Sequence, residues 1–342
     1  LFKSYFLLTV STALFLGGSL APVIAGEFKT GNSINSQLKI VELAQSPAEM
    51  TVQDLAGFNG IITALNVTPN SKYLIVGTGD NTVNLIDIEK QKVVYTQRSK
   101  VNDFSDIAIS ESGQLMAIAA ENNVEIRRVS DGARVKSLSG HTNKVSGVAF
   151  SPDGKILVSV SGGDRTIRIW DVESGDLLQT LGENIGPTTS VVFTPDGSQF
   201  ITGAIGDDRT IKFWDAQTYE LLKTTEKQPG FVNGLAVTPN GAKLVAAVRN
   251  FVKIWDLPSG QEVHSTKGPS LEINTIAVSP DSQLVATANK EGSIMLFDVN
   301  TGKLITTLQG HRGWVLSLAF SPDGDTLYSG AEDKIVKIWR VE

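Results

Sequence analysis

Apolar residues in this chain come in short runs of about strand length, separated by tight-turn signals. The clearest set closes the chain. Residues 310–342 read Gly310-His311-Arg312-Gly313-Trp314, then VLSLAF, then Ser321-Pro322-Asp323-Gly324, then DTLYSGAEDKIVKIW, and end Arg340-Val341-Glu342. Ser-Pro-Asp-Gly suits a type I turn, because proline presets the backbone at the second position and glycine is favoured at the fourth. A second turn is carried by Glu332-Asp333-Lys334. The pattern predicts three antiparallel strands, with a fourth expected and absent.

The same pattern fills most of the chain. The first turn recurs with its second position at Pro69, Glu111, Pro152, Pro195, Pro239, Pro280 and Pro322, in steps of 41–44 residues. A second landmark follows each turn by 16–19 residues: Ile86-Asp87, Arg127-Arg128, Trp170-Asp171, Trp214-Asp215, Trp255-Asp256, Phe297-Asp298 and Trp339-Arg340. Both landmarks keep one period, so the chain carries seven in-phase repeats.

Gly140-His141 with Trp170-Asp171, and Gly310-His311 with Trp339, carry the flanking signature of a known repeat. Over residues 49–342 the sequence resembles the WD-repeat family, whose repeats each form a four-stranded propeller blade. The resemblance implies an all-β fold, a seven-bladed β-propeller of four-stranded antiparallel blades. One such sheet cannot bury both faces, but neighbours packed around an axis cover them. Strands such as TIRIW, TIKFW and FVKIW are apolar on both sides, as that packing requires. The final repeat lacks its fourth strand, and residues 49–57 precede the first complete set. This segment is expected to complete the last blade, with Thr51 to Leu55 alongside Val336 to Trp339, which removes an open edge.

The family pattern also implies a line of hydrogen-bonded side chains: a histidine, a Ser/Thr on the second strand, an aspartate in the next turn and the third-strand indole. His311, Ser329, Asp333 and Trp339 match in the last blade, and His141, Ser159, Asp164 and Trp170 in the third. The fourth blade keeps Asp208 and Trp214 but has Glu183 near the histidine position. The fifth has Arg249 in place of the aspartate, and the first keeps Asp80 alone. A histidine beside a serine and an aspartate invites a catalytic reading, but these positions are expected to tie strands together. Asp153, Asp196 and Asp323 read as turn residues rather than calcium ligands, and His264 as an ordinary surface histidine.

Composition narrows the chemistry. The 342 residues carry a formal net charge of −6 with no block of Lys/Arg, which argues against nucleic-acid binding. There is no cysteine, and histidine occurs only at 141, 264 and 311. Thiolate chemistry is therefore excluded, and no metal, cofactor or catalytic residue is expected. Residues 1–25 combine Lys3, an apolar run and a small-residue end at Ala25, which predicts a signal peptide cleaved after Ala25. The protein is then exported, to periplasm or outside, and meets a membrane only if that segment stays uncleaved as an anchor. Residues 26–48 read as a polar linker containing one short LKIVEL patch.

What remains is a rigid scaffold. The favoured expectation is a non-enzymatic protein–protein interaction platform, binding partners on the loop face around the central channel. Trp314 is the one tryptophan outside the third-strand core position; it lies at the entrance of an innermost strand. The matching positions elsewhere are Ile61, Asp103, Lys144, Pro187, Phe231 and Glu272. Trp314, Ile61 and Phe231 are candidate anchors, with Lys144, Asp103 and Glu272 as polar contacts, and Asp207, Lys290 and Glu332 as a polar rim. The alternative is a propeller enzyme or small-ligand module, of lyase, lactonase or sugar-binding type, using the channel mouth. A third option is an exposed strand edge that accepts a client strand.

Overall fold

Every turn signal falls between antiparallel strands. The computed structural model describes residues 39–43, 52–99, 104–182, 186–268 and 272–341, all within a unit spanning 37–342. After β1 (Lys39–Leu43) and β2 (Val52–Ala56), the first blade consists of β3 (Ile62–Val67), β4 (Tyr73–Thr78), β5 (Thr82–Asp87) and β6 (Lys92–Arg98), paired in that order. Five further four-stranded sheets follow: β7–β10 (104–139), β11–β14 (147–181), β15–β18 (188–224), β19–β22 (232–267) and β23–β26 (273–309). The innermost strand of each blade touches that of the next, and β27 (Val315–Phe320) touches β3, so the seven blades form a closed ring.

The last blade runs β27, β28 (Thr326–Ala331), β29 (Val336–Arg340), β2 and β1 from the axis outward. Val52 lies opposite Trp339 and Leu55 opposite Val336, so the early strand completes the late sheet. Asp54 lies opposite Lys337, and the two side chains form an ion pair at 2.5 Å with Lys337 almost fully buried. In every other blade the residue facing this third-strand position is Ser or Thr: Thr96, Ser137, Thr180, Thr224, Ser265 and Thr307. The acid that matches Lys337 is therefore special to the closing strand.

Residues 39–43 correct one boundary. They fall in the segment assigned above to a linker, yet they pair antiparallel with β2, Lys39 opposite Ala56 and Leu43 opposite Val52. The reason is that β2 would otherwise present an open edge, and an apolar patch of strand length lies close by in the chain. The signal-peptide expectation, on residues 1–25, lies outside the described residues, as does Thr51.

Burial peaks at the second strand and falls away toward both the channel and the outer edge. The second strand of each blade is buried at nearly every position, as in β28, whereas the outermost strand β18 (Leu221–Thr224) is exposed throughout. A core layer lies between each pair of blades. One layer joins Leu55, Tyr328 and Val336 of the last blade to Ile62, Leu65 and Leu74 of the first. A Cβ at Gly330 would collide with Ile62 across this joint. The Ser-Pro-Asp-Gly turns repeat one geometry. In the last blade the Ser321 hydroxyl donates to Asp323, the Thr326 amide donates to Ser321, and Gly324 takes a φ of 85°.

Candidate functional site

Two lines of buried side chains tie the third and seventh blades. The Trp170 indole N–H donates to Ser159 Oγ at 2.8 Å, Ser159 Oγ lies 2.8 Å from His141 Nε2, and His141 Nδ1 lies 2.8 Å from Asp164. In the last blade Trp339, Ser329, His311 and Asp333 repeat this with distances of 2.8, 2.7 and 2.9 Å. A carboxylate can only accept, so Nδ1 donates to it; Nε2 then accepts the serine hydroxyl, which accepts the indole. Every polar atom is satisfied in one direction. Burial holds His141 below the usual imidazole range, outweighing its bond to Asp164, so it is neutral. Burial pushes Asp333 upward, but hydrogen bonds from His311 and the Arg312 and Ile335 amides outweigh it and hold the carboxyl low. Ser159 and Ser329 have no exposed surface, so no substrate reaches either hydroxyl.

The fourth blade solves the same problem without a histidine. Trp214 donates to Thr202 at 2.9 Å, and the buried Lys212 ammonium donates to Asp208 and to Thr210, each at 2.6 Å. Glu183, suggested for the histidine position, lies outside the described residues. His264 sits on β22 and bonds the Asn300 carbonyl at 2.6 Å.

The face bearing the loops into the innermost strands carries the candidate contact residues. The carbonyls of Ile61, Pro187, Phe231 and Trp314 each accept an amide from the end of their blade's second strand, namely Gly79, Ile205, Arg249 and Glu332. These four positions are thus equivalent around the ring. Trp314 is 43 % and Phe231 41 % exposed, large apolar surface that folding leaves open. Ile61 is half-buried and packs close to Gly79. Lys144 is exposed, and Asp103 lies outside the described residues.

The structure gathers one cluster that spacing alone does not reveal. The Lys290 ammonium stands 4.6 Å from the centre of the Trp314 ring, within cation–π range. The same ammonium donates to Glu272 at 3.1 Å. Glu332 accepts the Trp314 amide at 3.3 Å and returns its own amide to the Trp314 carbonyl at 3.0 Å. Glu272, Lys290, Glu332 and Trp314 therefore form one patch across the sixth and seventh blades. The group over the Trp314 ring thus belongs to the sixth blade. Asp207 stays exposed on the fourth blade.

Among the described residues no group of three or more His, Asp or Glu could hold a metal. The central channel holds a cavity of about 790 Å³ that reaches the turns after the innermost strands. Asp106 on β7 lines it, a residue the sequence reading missed. The available signal was its column: no other innermost strand carries an ionisable residue there.

Comparison with known proteins agrees with this architecture. The WD domain, G-beta repeat family model matches residues 50–87, 132–171, 175–215 and 302–340, and that of the anaphase-promoting complex subunit 4 WD40 domain matches 235–316. The uncharacterized WD repeat-containing protein sll1491 of Synechocystis sp. is 67 % identical over 276 residues, 81 % of this chain and 79 % of that protein. Nuclear distribution protein nudF of Aspergillus niger is 27 % identical over 81 % of this chain, which spans 58 % of its length. The periodic tryptophan protein 2 homolog of Dictyostelium discoideum is 25 % identical, and the chain spans 25 % of it.

Proposed function

Since the chain belongs to the WD-repeat family, whose propellers are generally protein-interaction scaffolds, we propose that it is an exported, non-enzymatic platform for protein partners. Partners dock on the face bearing the loops into the innermost strands. The observation that carries this reading is the Trp314 patch. A large aromatic side chain lies half-open at the rim of a rigid ring, its orientation set by Lys290 and by the Glu332 hydrogen bonds. Such a group offers contact area with little ordering cost, which is why tryptophan is enriched among binding hot spots. Phe231 supplies a second open aromatic on an equivalent position.

The test is affinity capture of the mature protein from its own envelope fraction. Trp314→Ala should remove the specific partners at an unchanged melting temperature, and Ile61→Ala should weaken capture less. A full set of partners retained by both variants removes the docking surface from this face. Export is tested separately by cell fractionation, where the protein found wholly in the cytosol would end that part of the proposal.

A further inference from the structure

Two blades of the loop face repeat one local frame with opposite charge. The innermost strands β19, β23 and β27 of the fifth, sixth and seventh blades touch in that order. Phe231 of the fifth blade and Trp314 of the seventh each follow a glycine. The carbonyl of each accepts the amide of the residue just after its blade's second strand, Arg249 at 2.9 Å and Glu332 at 3.0 Å. A Cβ on Gly230 would collide with the Arg249 side chain, and one on Gly313 would press on Glu332. Each open aromatic therefore has one charged side chain held beside its backbone, a guanidinium at Phe231 and a carboxylate at Trp314.

Neither charge is matched within the protein. In the sixth blade, which lies between them, Glu272 and Lys290 neutralise each other at 3.1 Å. Among the described residues, no ion pair involves Arg249 or Glu332, and no acceptor takes a hydrogen bond from the Arg249 guanidinium. Glu332 spends one oxygen on the Trp314 amide at 3.3 Å. Arg312 and Lys334 are also exposed near Trp314 in the chain, but the charged side chains that contact it are Lys290, over the ring, and Glu332, at the amide. An exposed charge beside an open ring decides what can dock there, since a like charge set against it repels and an opposite one attracts.

We infer that this face accepts an extended polypeptide segment with a fixed charge order. One apolar side chain sits on Phe231 beside a carboxylate that meets Arg249. A second sits on Trp314 beside a cation that meets Glu332. The inference rests on the reading of this face as the docking surface and adds which segment it takes. A polypeptide is the polymer that carries apolar, acidic and basic side chains along one chain. Two blades separate the anchors, at most roughly 20 Å by the spacing of packed sheets, a span of about six extended residues. The neutral Glu272–Lys290 pair faces the middle of the segment and calls for no charge there. A segment of the reverse order sets like charges together at both ends and is rejected.

The experiment is selection from a random dodecapeptide display library on the immobilised full chain, followed by fluorescence titration of the enriched peptides. The wild type should enrich peptides in which an acid adjoins one apolar residue and a base adjoins another. Arg249→Glu should enrich peptides with a base in place of that acid, and should bind the wild-type peptides about tenfold more weakly. Glu332→Gln keeps an oxygen for the Trp314 amide and should drop only the preference for the base. Arg312→Ser should select as the wild type does. Thermal melts verify that each variant folds. Apolar peptides without charge order, the same order selected by wild type and Arg249→Glu, or no enrichment overturns the inference. Two more variants separate it from the reading it rests on. If Trp314→Ala and Phe231→Ala lose peptides that Arg249→Glu retains, the docking face stands and the charge order falls. If both keep them, the face itself falls and the inference with it.

Discussion

Single residues here succeed or fail by whether their polar atoms are paired. The Asp333 carboxylate, in the turn between β28 and β29, accepts from His311 and from the Arg312 and Ile335 amides. Asp333→Ala leaves those donors unmatched and should cost about 2 kcal/mol, read from urea denaturation. Asp106 behaves in the opposite sense. Its folded-state carboxyl, pushed by burial to about 6, lies above the ordinary aspartate range, so folding favours the protonated form. That contribution is fully present below about pH 4 and is lost as pH rises through 6. Asp106→Ser should therefore be more stable than the wild type by about 3 kcal/mol at pH 7.5, a gap that closes by pH 4. A gap that stays constant over that range would show that the channel carboxyl is not shifted.

At the scale of strands, closure depends on one chosen pair. Lys337 is buried at a position that faces a small hydroxyl in six blades and Asp54 in the seventh. Backbone pairing alone would accept any extended segment; the carboxylate selects β2 and fixes its register, since a one-residue slip would turn Asp54 away from the ammonium. Asp54→Ala leaves a buried ammonium unpaired and should destabilise by about 3 kcal/mol in thermal or urea unfolding. Replacing both partners by methionine should recover most of that loss, because removing a buried pair together is far cheaper than removing half of it.

Residues 52–341 close into a ring, and its ends matter more than its middle. Removing residues 1–43 takes away β1 but leaves the seven four-stranded blades. Removing residues 1–56 also takes away β2 and opens the edge of β29. The first truncation should stay monomeric and unfold in one transition. The second should melt lower and associate through the open edge, seen by size-exclusion chromatography. The same ring makes the Trp314 patch a rigid feature, since each blade is held on both faces.

Much of this was readable along the chain. Repetition at a fixed period dictated seven blades, and the turns dictated strand order, because proline, aspartate and glycine act on the residues next to them. Both histidine lines were readable for the same reason, since each joins positions within one repeat. The tertiary structure alone decided which residues meet between repeats. It put Lys290 over Trp314 and set Asp106 and Glu111 on one wall of the channel; the pairing of the early strand with Val336 to Trp339 was already expected from the incomplete last repeat, and the structure added the Asp54–Lys337 ion pair within it. It also recruited residues 39–43 as an added strand, because an open edge, visible only once β2 is in place, gave that patch a partner. Contacts inside a blade follow from local spacing; contacts between blades depend on the angle at which sheets pack, and no spacing in the sequence encodes it.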